Sequence, residues 1–204
     1  MDVITVVGIG PGDPKFGLLS HEALFEKADL ILGTERHLEI LPPQYAHKGL
    51  IPSKKLGEMR ELILSYPEDT EIVYLVSGDP LVYGLGKWMS EKFPGRVEIF
   101  SGISAMQYLA SRVFLPMNDA YLTSSHAKVP NFDLIMDLEK VFMVTDAKVG
   151  PYQIAQEAVQ RGLKKTIIIG ENLSYEDEKI TILPAEEVED RDYQMNVVVV
   201  MDER

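Results

Sequence analysis

The stretch Val3-Ile4-Thr5-Val6-Val7-Gly8-Ile9-Gly10-Pro11-Gly12-Asp13 decides the fold class of this chain. Its first five residues lack polar alternation, the mark of a strand covered on both faces, as in parallel sheets flanked by helices. A glycine-rich turn follows, then a helical pattern over residues 20–28. The same rhythm continues outward, with strands expected over 30–32, 72–76 and 97–100 and helices over 58–65, 81–93 and 105–113. Leu115-Pro116-Met117-Asn118-Asp119 interrupts it with a proline and turn formers. We expect an N-terminal α/β domain over 1–115, a linker over 116–118 and a second α/β domain over 119–204. Beyond the linker, strands over 120–123, 141–145, 166–169, 179–183 and 196–201 outnumber the two clear helices, 131–138 and 153–161. Hairpins must therefore join several strands, so the first sheet is mainly parallel and the second mixed.

Composition narrows the function. The 204 residues carry 20 Lys and Arg against 32 Asp and Glu, a formal charge of −12. Such a field opposes the approach of nucleic acid and of anionic membranes, so any anionic substrate needs a local cluster of positive groups. With no cysteine, disulfides, thiolate catalysis and Cys-ligated metals are excluded together. The start lacks a basic and apolar leader. No apolar run approaches the roughly twenty residues of a membrane-spanning helix. A cytoplasmic protein is expected.

Three turns carry the candidate chemistry. Gly8-Ile9-Gly10-Pro11-Gly12-Asp13 is close to a dinucleotide fingerprint but misplaces its third glycine. Pro11 has no N–H to offer a phosphate, and Asp13 would repel one. The turn suits an uncharged or cationic ligand, or serves only as a tight strand-to-helix connection. In Ser77-Gly78-Asp79-Pro80-Leu81-Val82-Tyr83-Gly84-Leu85-Gly86, Asp79 and Pro80 read as a helix start. Gly84 and Gly86 would each then cost about 1 kcal/mol inside that helix, unless another backbone or a ligand comes close. Ser101-Gly102-Ile103-Ser104-Ala105 again joins a strand to a helix whose N-terminus can receive a carboxylate. All three turns fall at the C-terminal ends of parallel strands, where open α/β sheets collect ligands.

Among polar residues near these turns, Arg36, His37, Lys54, Lys55, His126 and Lys128 are the ones to watch, although the lysines read more readily as solvated surface charges and the histidines as structural or surface groups. The four histidines lack metal-ligand spacing, so no metal is expected. The acidic run 186–192 reads as a solvated turn or helix.

The order and spacing of the three turns resemble the tetrapyrrole methylase family, S-adenosylmethionine-dependent enzymes of cobalamin and sirohaem synthesis. Within it, the likeness is to the branch that methylates C(5) of the corrin ring. Supporting segments are Gly33-Thr34-Glu35-Arg36-His37-Leu38, Ser125-His126-Ala127-Lys128, Gly170-Glu171-Asn172-Leu173 and Asn196-Val197-Val198. Family members more often have Gly-Arg where this chain has Ala127-Lys128, which would cost a carboxylate contact its bidentate geometry. The resemblance implies two α/β domains, commonly in a homodimer, with S-adenosylmethionine folded in the cleft between the domains. By motif position, Pro11, Ser77, Gly78, Asp79, Val82, Ser104, Ala105, Thr145, Leu173 and Asn196 are expected to contact the cofactor. Arg36 and Lys128 are expected to bind the carboxylates of a corrinoid substrate, with His37 and His126 as candidate bases. Fused relatives continue into a second domain, so a separate enzyme is expected to methylate C(15) and decarboxylate. The alternatives are a sibling methylase acting on another ring carbon, an NAD-dependent oxidoreductase and a non-catalytic ligand sensor.

Overall fold

The computed structural model describes residues 4–126 and 129–203. The chain divides into two compact units, 1–104 and 105–204.

The first unit holds β1 (Ile4–Gly8), α1 (His21–Lys27), β2 (Leu30–Leu32), α2 (Glu35–Leu38), β3 (Gly49–Leu50), α3 (Leu56–Leu64), β4 (Ile72–Val76), α4 (Gly86–Lys92) and β5 (Val97–Phe100). Its strands are all parallel, in the order β3-β2-β4-β1-β5. Successive strand residues point to opposite faces, and both faces are filled. Val6, Leu32, Met59, Ile63, Met89 and Phe93 pack on one side, and Val7, Phe25, Ile31, Leu41 and Leu75 on the other. This two-sided cover is why β1 and β4 carry buried residues throughout. Each buried aliphatic side chain contributes about 1.5–3 kcal/mol relative to exposure.

The second unit holds α5 (Ala105–Arg112), β6 (Tyr121–Ser124), α6 (Phe132–Asp137), β7 (Lys140–Val144), α7 (Pro151–Gln160), β8 (Lys165–Glu171), β9 (Lys179–Pro184) and β10 (Asn196–Asp202). The sheet is mixed, in the order β6-β7-β10-β8-β9. Only β6 and β7 run parallel, while β10 is antiparallel to both of its neighbours and β9 is antiparallel to β8. Asn131 caps α6 by accepting from the Leu134 N–H at 3.2 Å.

Three features depart from the sequence reading. α5, expected within the first domain, falls in the second unit, where it packs on β7 and β10. Helix α4 begins at Gly86, not near Leu81, because residues 80–85 turn back on themselves first. The Gly86 N–H donates to the Pro80 carbonyl at 2.8 Å, and a Cβ on Gly84 or Gly86 would come within 2.7 Å of that oxygen. Both glycines therefore answer a close backbone approach, and neither sits in a helix interior. Finally, β3 and α2, of two and four residues, are too short for their periodicity to stand out.

Candidate functional site

β4, β1 and β5 are adjacent, so their C-terminal turns meet at one sheet edge. Gly10 and Gly78 form an isolated antiparallel bridge, with N–H to carbonyl distances of 3.3 and 2.7 Å. A Cβ on Gly102 would lie 2.2 Å from the Gly78 carbonyl oxygen and 2.5 Å from that of Gly8. Gly78 itself has φ +65, the left-handed region that favours glycine. The three backbones touch with no room for side chains. These glycines serve a backbone junction, on which exposed residues are then displayed.

Asp79 ties the junction together. Its carboxylate accepts from the Leu81 N–H at 2.8 Å and from the Gly102 N–H at 3.2 Å, linking the second turn to the third. Asp13 is similarly engaged in its own turn. It accepts from the Lys15 N–H and pairs with the Lys15 ammonium at 2.6 Å, which holds its carboxyl below the usual range. Pro11, Gly78 and Ser104 are buried, Asp79, Val82 and Ala105 half-buried, and Ser77 exposed.

At the same edge, Arg36 Nη2 donates to Ser77 Oγ at 2.7 Å and His37 Nε2 lies 2.8 Å from that oxygen. Burial, and secondarily the Arg36 charge, push the His37 pKa down to about 4. The imidazole is neutral at physiological pH. His126 is exposed, and its backbone N–H donates to Ser124 Oγ at 3.0 Å. Ala127 and Lys128 lie outside the described residues.

In the second unit, Thr145 Oγ1 donates to Asn196 Oδ1 at 2.7 Å, pairing the residue after β7 with the first residue of β10. Leu173 is buried beyond the end of β8, between Asn172 and Ser174, both at positive φ. An open pocket of about 610 Å³ is lined by Thr145, Asp146, Gln153, Arg191, Tyr193 and Asn196, among others. Arg191 is gripped by Glu171 through two contacts of 3.0 and 2.6 Å and lies over the Tyr193 ring at 3.8 Å. That ion pair holds the Glu171 carboxyl below its ordinary range. The sequence reading passed over Arg191 as part of an acidic solvated run, though a lone arginine among five carboxylates was the available signal. Among the described residues, no group of three His, Asp or Glu side chains is placed to hold a metal ion.

The first-unit edge displays the Asp79 carboxylate, the Ser77 hydroxyl and the Arg36 guanidinium, and the turn after β1 contains an N–H-free proline. Comparison with known proteins gives the family. The profile of the tetrapyrrole (corrin/porphyrin) methylases matches residues 3–189. The chain belongs to the tetrapyrrole methylase family. This methylase is 40% identical to the cobalt-precorrin-7 C(5)-methyltransferase of Salmonella typhimurium, over 99% of its own chain and 100% of that protein. Its fold matches the crystal structure of a cobalamin biosynthesis precorrin-6Y methylase from Archaeoglobus fulgidus, with TM-score 0.77, 21% identity and 99% of each chain covered. A uroporphyrin-III C-methyltransferase from Thermus thermophilus, solved with S-adenosyl homocysteine, gives TM-score 0.73 at 24% identity, over 98% of this chain and 97% of that one.

Proposed function

We propose that this tetrapyrrole methylase is an S-adenosylmethionine-dependent C-methyltransferase of corrin biosynthesis that methylates C(5) of cobalt-precorrin-7 or precorrin-6Y. The observation that carries the reading is the 40% identity spanning all of the Salmonella C(5)-methyltransferase. The junction of three turns at one sheet edge supports it.

Pro11, Ser77, Gly78, Asp79, Val82, Ser104 and Ala105 are proposed to hold the donor, joined by Thr145, Leu173 and Asn196. The donor supplies an electrophilic methyl on a sulfonium whose leaving group is neutral, so methyl transfer needs no acid. The work left to the protein is to orient donor and ring carbon and to exclude water. A carboxylate at the junction suits a sulfonium and an ammonium electrostatically. Arg36 and Lys128 are proposed for the substrate's acid arms, since a chain of charge −12 must concentrate positive groups where a polyanion docks. His126 is exposed and is proposed as the base that removes the proton after methylation. His37 has the same proposal by motif, although the imidazole is buried behind Ser77. A homodimer, a cytoplasmic location and a separate C(15)-methylating, decarboxylating enzyme complete the proposal.

Incubation with labelled S-adenosylmethionine and isolated corrinoid intermediates tests it. The expected product is one methyl heavier, with the label at C(5). Label at another ring carbon would assign a sibling activity. Binding of donor and corrinoid without turnover would assign a sensor.

A further inference from the structure

The turn from β4 to α4 is pinned at several points. The Leu81 N–H donates to Asp79 Oδ1 at 2.8 Å, the Val82 N–H to the Asp79 carbonyl at 3.3 Å and the Gly86 N–H to the Pro80 carbonyl at 2.8 Å. Asp79 Oδ2 accepts from the Gly102 N–H at 3.2 Å, which ties the turn to the junction at the sheet edge. Between these points the backbone passes through the left-handed region at Tyr83, with φ +54. Glycine enters that region without strain and asparagine does so readily, whereas a bulky aromatic residue there is an outlier. Asparagine at 83 would suit the backbone better than tyrosine does.

The core does not account for the tyrosine either. Leu85 and Trp88, next along the chain, pack on the first core, while Tyr83 is 49% exposed and Leu81 is 61% exposed. One apolar side chain in solvent needs no explanation. Two on the same pinned turn, one of them strained and both within four residues of Asp79, do. Strain of this kind persists where the surroundings over-determine it, and it gathers at binding sites.

We propose that the turn over residues 80–85 is a platform for the tetrapyrrole, on which Tyr83 and Leu81 meet the face of the ring. The inference rests on the methyltransferase reading for its ligand. A tetrapyrrole is a broad ring, apolar across its faces and edged with acid arms, so its binding needs apolar contact area as well as polar groups. An aromatic ring and a leucine supply such area, and a rigid mount lets them do so with little ordering on binding. The platform engages the flat of the Tyr83 ring and not its hydroxyl.

The test compares the full-length parent with Tyr83→Asn and Tyr83→Phe. Calorimetry measures S-adenosylhomocysteine and cobyrinic acid, a stable corrin with acid arms, and steady-state kinetics give KM for the tetrapyrrole that the parent methylates. Tyr83→Asn is expected to melt no lower than the parent, because asparagine relieves the backbone, and to bind S-adenosylhomocysteine unchanged. Its affinity for cobyrinic acid falls and its tetrapyrrole KM rises, each about tenfold, the scale of one lost aromatic contact. Tyr83→Phe keeps the ring and stays within about twofold of the parent. Parental corrin affinity and KM in Tyr83→Asn overturn the inference. So does a lower melting temperature or a failure to fold, which makes the tyrosine structural. An equal loss in Tyr83→Phe assigns the effect to the hydroxyl and overturns the ring contact. Weakened S-adenosylhomocysteine with corrin affinity intact gives the ring to the donor, and a dimeric parent made monomeric by Tyr83→Asn, read by sedimentation, gives it to a second copy. Both results overturn the platform. A parent that binds S-adenosylhomocysteine but no corrin overturns the platform alone. A parent that binds neither and transfers no methyl group overturns the methyltransferase reading itself.

Discussion

His37 sets a pH dependence that can be worked out in sign. Its folded pKa of about 4 lies below the ordinary value of 6.5, so the native state keeps the ring neutral while the unfolded chain takes up a proton. The stabilisation is complete above pH 6.5, is lost as pH falls toward 4, and levels off below that. About 3 kcal/mol is at stake. Urea unfolding at pH 7.5, 6 and 5 should show the decline, and His37→Gln should lose less stability over the same interval. His21, also pushed down by burial, adds in the same direction. A second prediction separates two glycines. Gly102→Ala forces a Cβ against two carbonyl oxygens and should cost about 3 kcal/mol, at the upper end of overpacking losses. Gly57→Ala, in α3 with nothing within 4 Å of the added Cβ, should gain about 0.5 kcal/mol by helix propensity. Thermal melts of the two variants should move in opposite directions. At this scale the sequence identified which residues gather at the edge but not what they do there. Asp79 was legible as an acid beside a turn. Its grip on Gly102 was not, because that contact spans twenty-three residues and depends on which strands are neighbours.

Strands were legible where turn formers bracket them closely, whatever their length. β2 and β4 have the bounds expected from sequence alone, since three to five consecutive apolar or β-branched residues between turn formers leave little choice. β5 has them too although Glu98 interrupts its apolar run, while the longer β8 reaches beyond the expected 166–169 at both ends. The start of α4 was misread because Asp79-Pro80 has the composition of a cap while its geometry is an Asx turn, with the Leu81 N–H on the Asp79 side chain. The connection from β9 to β10 hides the ion pair of Glu171 and Arg191. Glu171 is 3% exposed, so removing its partner leaves a buried carboxylate without its main counter-charge. Arg191→Met should cost about 3 kcal/mol and raise the Glu171 pKa toward and above its ordinary value. Denaturant midpoints and the acid limb of stability would report both effects. A variant as stable as the parent would show that water compensates the carboxylate. By contrast, Asn131→Ala removes one cap bond at the start of α6 and should cost only about 1 kcal/mol.

The molecule as a whole is two sheets with different assembly rules. The parallel first sheet follows from alternating strands and crossovers, and was readable from spacing. Strand order in the second sheet was not, because nothing local to 196–202 says that this segment inserts between β7 and β8. Val197, Val198, Val199 and Val200 are all at most 3% exposed. Val198→Asp should therefore dismantle the second sheet while leaving the first intact. Hydrogen exchange should show lost protection in peptides from β6 through β10 and retained protection in β1, β2 and β4. Uniform loss across both units would show that they fold as one. The central seat of β10 also carries a liability. Without that segment in place, β7 and β8 would each carry an open row of backbone donors and acceptors on the side that β10 fills, and such edges invite pairing with other chains.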